Sequence, residues 1–130
     1  MSFLTTTYFS SSQCLSSAIA SWQQLLGFDA VLESDCLHDR LKDTSGSQRS
    51  VPAMLCIGSE LELQAALRIA NQHRIPVYPI STGHNWGYGT ALPTLSGSVL
   101  LDLSSMARIV HFDAELGVVT LEPGVTQGML

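Results

Sequence analysis

Between Ile80 and Pro93 the chain reads ISTGHNWGYGTALP, with three glycines, one histidine and two aromatic residues but no lysine or arginine. Glycine reaches positive φ and lets backbone come close to a ligand, so Gly83, Gly87 and Gly89 allow successive amides to turn into one concavity. Ser81, Thr82 and Asn85 add side-chain donors around it. Such a nest holds anionic oxygen through aligned N–H dipoles, so it needs no lysine, and a diphosphate is its natural guest. A purely structural turn accounts for the glycines equally well, and at this level both readings stand.

Two common glycine-rich motifs fail on spacing. A G-x-x-x-x-G-K-[ST] phosphate loop needs a lysine that is absent, and a G-x-G-x-x-G fingerprint must open a helix, whereas TALPTLSG holds a proline and no helical period. Trp86 and Tyr88 can pack on a cofactor or close the loop on its own core, and packing is the reading taken for Trp86. Asp102 and Glu122 end strands and read as solvated or capping carboxylates, not general bases. His38 lies in D-C-L-H-D, which matches no metal-ligand spacing, and Cys56 sits in an apolar run as a core thiol. No residue is assigned a catalytic role, and no metal site is expected.

The elements that must position the loop are legible around it. Ile19, Trp22, Leu25 and Leu26 fall at helical spacing, and Gly27 stands where a helix would stop. DTSGSQRS at 43–50 has loop composition, so a boundary is placed near Val51, with 1–50 as a lead-in carrying one helix. AMLCI at 53–57 reads as a strand. Ser59 and Glu62 then form a capping-box pair that starts a helix with Leu63, Ala66, Leu67 and Ala70 on one face, ending before Pro76. VYPI at 77–80 and SVLLDL at 98–103 follow as strands, and RIVHF and GVVTL flank DAEL as a hairpin. Thr126 looks like the cap of a helix with barely a turn of chain after it, and the chain reads as truncated there. The pattern is that of an α+β or α/β core whose loop opens at a strand end.

Composition narrows the function classes. With 130 residues, 45% hydrophobic and 13% charged, the chain is one globular domain, short for a two-lobed enzyme. Six basic against eleven acidic residues, net charge -5, offer no footprint for a phosphate backbone, so no nucleic-acid partner is expected. Three scattered cysteines suggest a reducing compartment. The N-terminus has no basic stretch followed by a sustained apolar one, and no apolar run approaches bilayer length, so cytoplasm and no membrane are the expectations.

The longer stretch PVYPISTGHNWGYGTALPTLSGSVLLDLSSMARI, with the hairpin and LEPGVTQG after it, resembles the flavin domain of the vanillyl-alcohol oxidase and p-cresol methylhydroxylase family. The pieces come in that order: strand, capped helix ending in N-x-H-x-I-P, strand, N-W-G-Y-G loop, strand ending in L-D-L, methionine three residues on, then E-P-G-V. The resemblance covers 51–130. It implies an α+β fold of the PCMH type, a small strand-helix-strand sheet plus the start of a second α+β subdomain, truncated at its C-terminal side. It implies FAD as cofactor, with the diphosphate against Ser81, Thr82, Gly83, His84, Asn85, Gly87, Tyr88 and Gly89 and backbone contacts from Pro123 and Gly124.

In several branches of the wider superfamily a histidine in such a G-H step bonds the flavin 8α-methyl, and Gly83-His84 looks like that step. Phenol-oxidising members commonly attach flavin through the cap domain, so covalent linkage through His84 stays open. The implied activity is hydride transfer from a substrate carbon to flavin N5 in an oxidase or dehydrogenase. The implied partners are the missing C-terminal flavin and cap segments, with self-association as a consequence of their absence and no turnover by the fragment itself. The alternatives are a non-catalytic nucleotide-binding or assembly module, or a nicotinamide or sugar-nucleotide binder.

Overall fold

The computed structural model describes residues 12–37, 40–41, 48–83 and 91–130. Helix α1 (Ser12–Leu26) is closed by Gly27 at φ 91°, whose N–H donates to the Gln23 carbonyl. Strand β1 (Val31–Glu33) follows, an element with no sequence signal of its own. Next come β2 (Ala53–Cys56), α2 (Glu60–Gln72), β3 (Val77–Ile80) and β4 (Val99–Asp102). A hairpin of β5 (Ile109–Asp113) and β6 (Val118–Leu121) leads to a single 3-10 turn at Gln127–Met129.

The first four strands form one sheet in the order β1-β2-β4-β3, with β2, β4 and β3 parallel and β1 antiparallel at the edge. The apolar runs of β2 and β4 are explained by burial on both faces, as parallel strands require. On one face Ala53, Leu55, Ile57, Val99 and Leu101 pack with Ala18 and Trp22 of α1 and Ala66 and Ala70 of α2. On the other, Met54 and Leu100 pack with Leu37, Val51 and Leu92. Leu67, expected on the buried face of α2, is 39% exposed; Ile69 packs against the core in its place.

Trp22 ties the lead-in to the core. It is fully buried, and its indole Nε1–H donates to the Ala66 carbonyl at 3.1 Å. An aromatic body in the core with its polar tip satisfied is the stable arrangement for buried tryptophan.

Because β3 and β4 are parallel neighbours, the chain must travel from the carboxyl end of one to the amino end of the other. Such a connection takes a dozen residues or more. The glycine-rich stretch is that connection, and Leu92, fully packed beneath the sheet, anchors its return.

Candidate functional site

The carboxyl ends of the three parallel strands share one edge, since Cys56 and Ile80 both lie opposite Asp102 in register. Two further bonds extend the ladder past the strands: Ile57 N–H to the Asp102 carbonyl and Leu103 N–H to the Ile80 carbonyl, each 2.9 Å. Residues 58, 81 and 104 therefore emerge side by side. Parallel sheets place ligands outside this edge.

The start of α2 contributes little to an anion site there. Ser59 caps the helix by accepting from Glu62 N–H at 3.3 Å, and Glu62 Oε2 accepts from Gly58 N–H at 2.8 Å. This is the expected capping box, with the glutamate reaching one residue further back. A carboxylate already occupies the positive end of the helix.

The loop begins with Ser81, Thr82 and Gly83. Gly83 has φ 72°, and among the described residues nothing lies within 4 Å of where a β-carbon would stand. It is thus a left-handed backbone position with no described neighbour beside it, a conformation compatible with one step of a backbone cradle for an anion. The donors left for an anion are the Thr82 hydroxyl and backbone amides, with no cation in the segment; Ser81, expected as a side-chain donor, is not among them, because its one hydroxyl proton is given to the Pro123 carbonyl. His84, Asn85, Gly87, Tyr88 and Gly89, together with Trp86, lie outside the described residues, as does His38.

Pro123 and Gly124 are brought to the same place from the far side of the hairpin. Ser81 Oγ donates to the Pro123 carbonyl at 2.5 Å, joining positions 42 residues apart. Gly124 N–H donates to the Met106 carbonyl at 2.7 Å, and a β-carbon at this glycine would overlap the Ser104 carbonyl oxygen. Gly124 is therefore a close backbone approach, with the turn after β4 as its partner.

The carboxylates hold structure. Asp102 Oδ1 accepts from Ser104 N–H at 2.9 Å and so shapes the turn on which Gly124 rests, while Oδ2 stands 3.7 Å from Arg40 Nη1. Glu122 Oε1 accepts from Nε and Nη2 of Arg108, and its Oε2 from Arg108 N–H. These bonds to Arg108 hold the Glu122 carboxyl below the ordinary carboxylate value. Cys56 carries a free thiol and is half-buried; burial, and then Asp102, push its pKa up, against the opposing charge of Arg40. Neither Arg40 nor Arg108 is signalled as part of this edge by sequence, because each arrives there only through folding.

Comparisons with known proteins bear on the family and the fold. The family profile described as "FAD binding domain" matches residues 51–130. The 1'-carboxy-chondrochloren decarboxylase of Chondromyces crocatus is 40% identical over 119 residues, 91% of this chain and 22% of that protein. The 4-cresol dehydrogenase [hydroxylating] flavoprotein subunit of Pseudomonas putida is 38% identical over 117 residues, 87% of this chain and 22% of that one. A crystal structure of p-cresol methylhydroxylase with substrate bound superposes with a TM-score of 0.84 at 36% identity, covering 92% of this chain and 24% of the other. The mixed α+β fold of the PCMH type is thereby shared, and the chain spans about a fifth of the length of the relatives it matches.

Proposed function

Since the chain belongs to the FAD-binding domain family, we propose that it forms the diphosphate-holding part of a flavin-dependent oxidoreductase of the vanillyl-alcohol oxidase type, working in the cytoplasm. FAD is the cofactor of this family. Residues 51–130 form the partial FAD-binding domain, and helix α1 of the lead-in packs onto it through Ala18 and Trp22. The observation that carries the reading is the Ser81–Pro123 bond, which brings the E-P-G turn to the first residue of the glycine loop at the carboxyl edge of the sheet.

Ser81, Thr82, Gly83, His84, Asn85, Gly87, Tyr88 and Gly89 hold the diphosphate, chiefly through backbone amides, and the backbone of Pro123 and Gly124 borders it. When bound, FAD supplies an acceptor at flavin N5 for hydride from a substrate carbon. This chain's own contribution is to bind and orient. Two relatives named for a decarboxylation and a dehydrogenation match this segment at nearly equal identity. That equality supports a segment devoted to the cofactor, with the choice of reaction made elsewhere in those proteins.

Further polypeptide completes the site. The hairpin pairs Ile109 with Leu121 and Phe112 with Val119 across its two strands, yet Ile109, Phe112 and Leu121 are exposed. An apolar sheet face of this kind supports a covering partner, the C-terminal flavin and cap segments, and self-association where they are missing.

Titration of the purified chain with FAD, followed through the amide resonances of Ser81, Thr82, Gly83 and Gly124, tests the reading. We expect saturable but weak binding localised to these amides, because a nest grips only the diphosphate while tight sites bury about 70–90% of a ligand. Loss of those shifts in Gly83→Val is the matching control. No FAD-dependent shift in the wild type would leave a non-catalytic assembly module as the better reading, and submicromolar binding by a monomer would show that the site is complete without a partner.

A further inference from the structure

We propose that the Arg108–Glu122 pair is a positioning device for the cofactor site: it staples the open end of the hairpin so that Pro123 meets Ser81 and Gly124 seats on Ser104 and Met106. The proposal rests on the FAD reading above and adds to it two residues that line no part of the nest.

A two-stranded ribbon is marginal by itself, and this one is irregular, with a register shift between Ile109 and His111. Its turn end is secured by Asp113, whose Oδ1 accepts from Glu115 and Leu116 N–H at 3.0 Å. Its open end is secured by residues 108 and 122 through four bonds. Glu122 N–H donates to the Arg108 carbonyl at 3.0 Å, Arg108 N–H donates to Glu122 Oε2 at 2.8 Å, and Nε and Nη2 donate to Oε1 at 2.9 and 2.6 Å.

The orientation so fixed passes directly into the site. Pro123 follows Glu122 with its φ set by the ring, so fixing Glu122 at the end of the hairpin narrows the directions open to the Pro123 carbonyl. That carbonyl receives Ser81 Oγ at 2.5 Å, and the next residue donates to Met106 at 2.7 Å. An unbroken series of bonds thus runs from Arg108 to the first residue of the loop.

Charge attraction alone is a poor reason for the pair. The Arg108 side chain is 79% exposed and that of Glu122 11%, and ion pairs open to solvent add little to stability. A planar fork on a carboxylate instead supplies geometric definition, which lysine in the same place would not.

The test is FAD affinity of the chain by amide titration in Glu122→Gln, Arg108→Gln, Arg108→Lys, Ser81→Ala and the double variant Glu122→Gln/Ser81→Ala. Each single variant is expected to weaken FAD on the order of tenfold, the scale on which partners one step removed from a ligand act. The double variant is expected to be no weaker than Ser81→Ala alone, because both changes cut the same connection. Additive losses, or unchanged affinity in both Glu122→Gln and Arg108→Gln, overturn the proposal; because Arg108 is exposed, its variants keep the test open if Glu122→Gln misfolds.

If the wild-type chain shows no FAD shifts, the functional reading fails, and amide exchange at Gly124 judges the pair separately. Exchange faster by about tenfold or more in Arg108→Gln, with other protected amides unchanged, would support it as the device that seats the turn. Unchanged exchange would refute it.

Discussion

Gly124 and Gly83 are required for opposite reasons, and replacing each by alanine separates them. At Gly124 the new β-carbon would overlap the Ser104 carbonyl oxygen and stand 2.7 Å from that of Met106. Both neighbours are backbone atoms, so no side-chain rotation relieves the contact. Overpacking of this kind costs about 1–3 kcal/mol, and displacing the turn also forfeits the Gly124–Met106 hydrogen bond, about 1 kcal/mol more. A loss of about 3 kcal/mol corresponds to a fall of about 10 °C in Tm for a domain of this size.

At Gly83 a β-carbon meets nothing among the described residues, and the cost is the left-handed φ of 72° alone, about 1–2 kcal/mol. Thermal unfolding of the FAD-free chain, followed by far-ultraviolet circular dichroism, should therefore show Gly124→Ala melting well below Gly83→Ala. Equal Tm values, or Gly124→Ala within about 1 °C of the wild type, would refute the close-approach argument.

Further outcomes can be checked on the same chain. Because the folded Glu122 carboxyl is depressed, its stabilising contribution is complete above the unfolded carboxyl value, about 4.3, and is lost as pH falls through the folded value. Urea unfolding of wild type and Glu122→Gln should accordingly differ at pH 7 and converge in acid; a constant difference would be inconsistent with the linkage. Trp22→Phe removes the bond to Ala66 and leaves space at a fully buried site, so we expect a loss of about 1–3 kcal/mol in denaturant unfolding. Cys56, half-buried with a raised pKa, should be alkylated more slowly than exposed Cys36 at pH 7.5 by peptide mass spectrometry. Acid denaturation of the FAD-loaded protein decides the His84 linkage: flavin that stays with the chain and is released by His84→Ala assigns the bond, and free FAD in the supernatant excludes it.

Local signals in the sequence were enough for most elements here. Gly27 ends α1 and Ser59 with Glu62 starts α2 because caps and positive φ depend on a few adjacent residues. The strands at 53–56, 77–80 and 99–102 and the hairpin were legible from their β-forming runs and bounding turns. The resemblance of this stretch to a flavin domain was also legible from the order of its motifs, and the family match covers residues 51–130.

Other features were fixed only by long-range pairing. Nothing in VLLD says that β4 inserts between β2 and β3, since a run buried on both faces suits any interior place in a sheet. β1, three residues long, gains its identity from pairing with β2. The partners of Gly124, and the links from Ser81 to Pro123 and from Arg108 to Glu122, each join segments that sequence leaves far apart. Sequence could nominate Pro123 and Gly124 by likeness, but the reason for a glycine at 124 is a pair of carbonyl groups that only the folded backbone brings within reach.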